Sequence, residues 1–144
     1  MATLVFHHMG LVCTDMAATE RFYSRWFGFV RARVLPLGKG DQIIFLKSGP
    51  LYLELFNATQ SDPLAAPTGT GPDHPGWRHL AFKVDDVDAK LAEMGADARI
   101  TAGPMDFDAF IPGWRSAWVA DPDGNIVEIS QGYVDEDDPP PPAA

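Results

Sequence analysis

Four residues have the types and spacing to do chemistry together: His8, Glu54, His79 and Glu128. Glu54 sits inside the stretch PLYLELFN, where strand alternation puts Leu51, Leu53 and Leu55 on one side and Tyr52, Glu54 and Phe56 on the other. Neither row reads as a solvent face, and an unpaired carboxylate in such a place is costly. The same division recurs three times. Met9 and Leu11 oppose His8, Gly10 and Val12; Leu80, Phe82 and Val84 oppose Trp77, His79 and Ala81; Val127 and Ile129 oppose Ile126, Glu128 and Ser130. One face is aliphatic and suits packing under a helix. The other carries a single His or Glu among small, aromatic or apolar neighbours. Two imidazoles and two carboxylates suit one divalent metal, Zn, Ni, Co, Mn or Fe(II), with positions left for water or substrate. Such an ion would also neutralise Glu54. Each residue alone has an ordinary reading: a hydrogen-bonded core histidine, a Glu54 paired with Arg31 or Arg33, a Glu128 on an exposed edge. The weight lies in the four together at matched places.

The elements that would position them form an internal repeat. Val5–Val12 reads as a strand. Asp15 caps a helix over 16–27 with the stripe Ala18, Phe22, Tyr23 and Trp26, and Gly28 ends it. Strands are predicted near 29–36, 41–47 and 51–57. A stretch rich in Pro, Gly, Thr and Asp follows, and then the order restarts. WRHLAFKV is a strand, Asp85 or Asp86 caps a helix with the stripe Val87, Leu91 and Met94, and Gly95 ends it. Strands are predicted near 98–103, 115–120 and 125–131, with 104–114 irregular and DPDGN as the hairpin turn between the last two. His8 precedes Asp15 by seven residues, as His79 precedes Asp86; Glu54 follows His8 by 46 residues, and Glu128 follows His79 by 49. The expected organisation is a first βαβββ module at 1–57, a linker at 58–76, a second module at 77–131 and an acidic, proline-rich, disordered tail at 132–144.

Other residues carry weaker signals. His7 is expected to point away from His8, and His74 to lie exposed in the linker. Cys13 continues the Met9–Leu11 side and reads as a buried, inert thiol. PGWR occurs at 75–78 and again at 112–115, each time leading into a strand. Trp77, Tyr52 and Phe56 would wall a pocket, and Arg115 or Arg78 would hold an anionic substrate group.

The 144 residues make one domain's length, and one cysteine excludes an intrachain disulfide, which fits a reducing, cytoplasmic setting. The net charge of −9 argues against nucleic acid as a partner, and no apolar run is long enough to span a bilayer. The N-terminus, MATLVFHH, has no basic region ahead of an apolar stretch and does not read as a signal peptide. A duplicated scaffold of this kind suggests a homodimer acting on a small molecule.

HMGLVCTDMAATERFYSRWFGF, LYLELF, WRHLAFKVDDVDAKLAEMGA and DPDGNIVEIS together resemble the vicinal oxygen chelate superfamily, which includes glyoxalase I, methylmalonyl-CoA epimerase, extradiol dioxygenases and the fosfomycin and bleomycin resistance proteins. The resemblance covers about residues 5–131. It implies an α+β fold in which two βαβββ modules curl a mostly antiparallel, U-shaped sheet around a metal, with His8, Glu54, His79 and Glu128 at the four ligand positions and no organic cofactor. The complete set looks most like glyoxalase I. It implies an isomerase or lyase that chelates its substrate through two neighbouring oxygens and moves a proton through an enediolate-like intermediate, with Glu128 or Glu54 as base. Two alternatives remain open. One is an Fe(II) extradiol-type dioxygenase using His8, His79 and Glu128; the other is a metal-free dimer that sequesters an aromatic or antibiotic ligand.

Overall fold

The computed structural model describes residues 6–59, 69 and 79–141. The chain divides into two compact units. The first holds residues 1–67 and the turn 120–125; the second holds 68–119 and 126–144. Most of the expected linker, with His74, Trp77 and Arg78, lies outside the described residues.

In the first unit, β1 (Met9–Cys13) leads into α1 (Met16–Phe27), followed by β2 (Val30–Gly38), β3 (Asp41–Ser48) and β4 (Leu51–Asn57). The sheet order is β1-β4-β3-β2, with β1 parallel to β4 and the other pairs antiparallel. The Asp15 carboxylate accepts from the Ala18 N–H at 2.9 Å, capping α1 as its sequence requires. Gly28 closes it at φ 69°, a left-handed conformation that costs glycine little. The buried stripe of α1 is Met16, Thr19, Phe22, Tyr23 and Trp26. Thr19 is fully buried, while Ala18, expected in the stripe, is only half-buried. Beneath the helix, Leu53 and Leu55 of β4 and Ile44 and Leu46 of β3 form the core.

The turn 121–125 is more than a hairpin connection. The Asp121 carboxylate is fully buried and accepts from the Tyr23 hydroxyl at 3.0 Å, the Asn125 amide side chain at 2.9 Å, and the Asp123 and Asn125 backbone N–H groups. Asp123 in turn accepts from the Thr14 and Thr19 hydroxyls. Tyr23 therefore supplies both apolar bulk and a donor, which its place in the stripe did not reveal.

In the second unit, β5 (Leu80–Lys83), α2 (Val87–Met94), a short 3₁₀ turn at Gly95–Asp97, β6 (Ile100–Asp106), β7 (Arg115–Ala120) and β8 (Ile126–Gln131) give the order β5-β8-β7-β6, with β5 parallel to β8. Asp86 is the cap of α2, accepting from the Ala89 N–H at 2.9 Å. β6 reaches Asp106, three residues beyond the expected end, because Met105 and Asp106 pair with Ser116 and Arg115. Val119, Val127 and Ile129 are fully buried under α2's side of the sheet. Gly132 and Tyr133, assigned by sequence to the tail, belong to this packing: Tyr133 stands edge-on to Trp114 with ring centroids 6.0 Å apart. The architecture is α+β, two βαβββ modules each with its own four-stranded mixed sheet. No helix among the described residues is long and apolar enough to cross a membrane.

Cys13 is fully buried at the end of β1, and burial pushes its thiol from an ordinary 9.0 up to about 11. Two results are expected. Native protein at pH 8 should resist a thiol-specific disulfide reagent that labels the unfolded chain within minutes, as measured by released chromophore. The sign of the linkage follows from the raised value. Folding favours the neutral thiol, so its contribution is intact below pH 9 and is lost as the pH climbs to about 11. Cys13→Ser should flatten that part of the stability–pH curve.

Candidate functional site

Each unit brings one histidine to one glutamate. In the first, the parallel pairing of β1 and β4 sets Gly10 opposite Glu54, and β3 sets Phe45 opposite it on the other side. His8, one residue ahead of β1, places Nε2 3.0 Å from Glu54 Oε2, with the Glu54 side chain 17% exposed. The ring of His8 stands edge-on to Phe45 at 5.8 Å. Tyr52 and Phe56 share Glu54's row on β4. A Cβ at Gly10 would lie 3.6 Å from Phe56 Cε2, so the ring covers the glycine. Among the described residues, His8 makes the one ion-pair contact of Glu54.

His7 departs from expectation. Its Nδ1 lies 2.6 Å from His8 Nδ1 and its ring stacks on Tyr52 at 5.6 Å. Both histidines precede the first residue of β1, so the alternation that would separate them does not apply. One of the two nitrogens must carry the proton.

In the second unit, Ala81 of β5 sits opposite Glu128 of β8, and His79 directs Nε2 to Glu128 Oε2 at 2.8 Å. Glu128 is held much more firmly than Glu54. Its Oε1 accepts from the fully buried Ser116 hydroxyl at 2.9 Å, and its Oε2 also accepts from the Trp118 indole N–H at 3.1 Å. Ser116 Oγ lies 2.8 Å from Ser130 Oγ, which accepts from the Trp114 indole N–H at 3.1 Å. Ser116, Trp118 and Trp114 were not singled out in the sequence. The available signal was alternation in β7, which sets Ser116 and Trp118 on the face opposite Ala117 and Val119.

That alternation also explains Arg115. It shares the Ala117 face, away from Glu128, and its guanidinium bonds Asp88 of α2 at 3.1 Å and Asp106 of β6 at 2.7 Å. Those carboxylates raise its already high pKa. Its charge is taken up within the second unit, on the helix side of the sheet.

The donor set fits a divalent cation. Imidazole nitrogen and carboxylate oxygen are both ligands of first-row divalent ions, and the two N···O separations are 3.0 and 2.8 Å. His79 Nδ1 is buried with no hydrogen-bond partner among the described residues, so the bonding of that imidazole is incomplete. Each unit brings two such side chains together, and no group of three or more His, Cys, Asp or Glu arranged to hold a metal occurs among the described residues.

Comparisons with known proteins agree with this fold. A family model described as the Glyoxalase/Bleomycin resistance protein/Dioxygenase superfamily matches residues 5–129. An uncharacterized protein of Escherichia coli strain K12, YaeR, is 30% identical over 128 residues, covering 85% of this chain and 92% of its own. A glyoxalase family protein from Enterococcus faecalis superposes with a TM-score of 0.63 at 32% identity, over 88% of this chain and 96% of its own. The trypanothione-dependent glyoxalase I of Leishmania major shares the fold, with a TM-score of 0.64 at 22% identity over 90% of this chain and 88% of its own. With two βαβββ modules, a His–Glu pair in each and a family match over nearly the whole length, the chain belongs to the glyoxalase/bleomycin resistance protein/dioxygenase superfamily.

Proposed function

We propose that this chain is a metal-dependent enzyme of the glyoxalase/isomerase type, in which His8, Glu54, His79 and Glu128 hold one divalent ion, Zn, Ni, Co, Mn or Fe(II). The observation that carries the reading is the repeated pair: an imidazole nitrogen within 3.0 Å of a carboxylate oxygen in each module. When bound, the ion supplies Lewis-acid polarisation of a substrate carbonyl. The chain's own residues do the rest. Glu128, fixed by Ser116, Trp118 and His79, acts as a rigid anionic ligand. Glu54, whose one ion-pair contact among the described residues is with His8, has the freedom to take and return a proton at the carbon beside that carbonyl. Tyr52 and Phe56, on the Glu54 row, wall the substrate. We further assign the protein to the cytoplasm as a homodimer acting on a small molecule, in keeping with its single cysteine and its charge of −9.

The test is elemental analysis of protein purified without chelators, followed by a screen of 2-oxoaldehyde thiohemiacetals, acyl-CoA epimers and catechols. Close to one divalent ion per site and turnover of a compound with vicinal oxygens is the expected result. Absence of stoichiometric metal after growth in supplemented medium would overturn it in favour of a ligand-sequestering protein.

A further inference from the structure

Beside Glu128 in the second unit lies a cleft of about 290 Å³. Ala81, Phe82, Trp114 and Tyr133 line it, Ser130 and Glu128 supply polar groups, and Lys83 also borders it. That volume is at the small end of the roughly 300–1,000 Å³ of ligand pockets, too little for a long polar arm. The Ser130 hydroxyl already accepts from Trp114 and contacts Ser116, and Glu128 is held by its own partners. Little polar capacity is left for a ligand except toward Glu128.

The aromatic walls are fixed by backbone contact. Gly132 and Gly113 both have positive φ, 78° and 81°, and a Cβ at Gly132 would come within 2.6 Å of the Gly113 carbonyl carbon. The residues that follow these glycines are Tyr133 and Trp114. The Lys83 ammonium donates to the Tyr133 carbonyl oxygen at 3.5 Å, tying the same segment to β5. Ala81, which also lines the cleft, is exposed.

We infer that this cleft is a specificity pocket for an apolar, ring-sized substituent, so that the substrate is an aryl-bearing compound with vicinal oxygens directed at Glu128. The direction of the oxygens rests on the function proposed above; the preference for a ring rests on Trp114, Tyr133 and Ala81 alone.

Binding of mandelate and lactate, which carry the same vicinal oxygens on a phenyl and a methyl group, tests it by calorimetry on metal-loaded and metal-free protein. Mandelate should bind at least about tenfold tighter in both forms. Ala81→Leu, which fills the cleft from an exposed position, should remove the preference, and Trp114→Phe should reduce it with the fold intact by circular dichroism. Equal binding of the two acids, or an unchanged preference in Ala81→Leu, would overturn the pocket and leave the metal reading standing. A phenyl preference with affinities unaffected by metal would support the pocket and count against the metal reading.

Discussion

Glu128→Gln is expected to keep the fold and lose the metal. The glutamine can enter the existing network with its carbonyl oxygen where Oε2 stands, still accepting from the Trp118 indole at 3.1 Å. Its amide then faces Ser116 Oγ, 2.9 Å away, and that hydroxyl turns its own proton to Ser130. The Trp118 and Ser116 donors keep acceptors and one amide N–H gains Ser116 Oγ, so unfolding free energy should change by no more than about 1–2 kcal/mol. The negative charge is gone, however. Metal affinity should fall at least about a hundredfold, and turnover of the substrate found by screening by about 10²–10⁴. Glu54→Gln should lose a similar share of turnover with a smaller loss of metal, because Glu54 has one partner among the described residues and is assigned the proton. Metal titration by calorimetry alongside chemical denaturation separates the two effects. An E128Q protein with full occupancy and full turnover would remove Glu128 from both roles.

The asymmetry between the two glutamates was not legible in the sequence, although their positions were. Alternation around Leu53, Glu54 and Leu55, and around Val127, Glu128 and Ile129, is local and reports which face a side chain takes. Helix caps are equally local: that of α1 was readable to the residue, Asp15, and that of α2 to one of two neighbours, Asp85 or Asp86. What holds a carboxylate depends on strands that meet only in the fold. Ser116 and Trp118 reach Glu128 because β7 lies next to β8, and no short pattern marks a serine as a carboxylate's partner. Asp121 is a further example. DPDGN reads as a turn from its composition, but its first aspartate is buried against the Tyr23 hydroxyl, 98 residues away in the chain. Arg115 misled for the complementary reason. A lone basic residue next to a Pro-Gly turn looks free for an anion until α2 and β6 supply Asp88 and Asp106.

Gly132→Ala should be strongly destabilising. At φ 78° an alanine is strained by about 1–2 kcal/mol. Position 132 adds a steric conflict: the new Cβ would run into the Gly113 carbonyl oxygen and lie 2.6 Å from its carbon and 2.9 Å from Trp114 N. Backbone atoms cannot swing aside as a flexible side chain can, so the 107–114 segment would have to move, at a further cost of about 1–3 kcal/mol. A total of about 2–5 kcal/mol corresponds to a fall in melting temperature on the order of 10 °C. Gly113→Ala is the internal control. Its φ is 81°, yet a Cβ there would meet nothing within 4 Å, so only the conformational strain of about 1–2 kcal/mol should appear. Because the displaced segment carries Trp114, G132A should also lower mandelate affinity at temperatures where the protein is still folded, whereas G113A should leave it nearly unchanged. Equal melting temperatures for the two variants would mean that the Gly113–Gly132 contact does not hold the C-terminal residues against the second sheet, and the aromatic wall would lose its support.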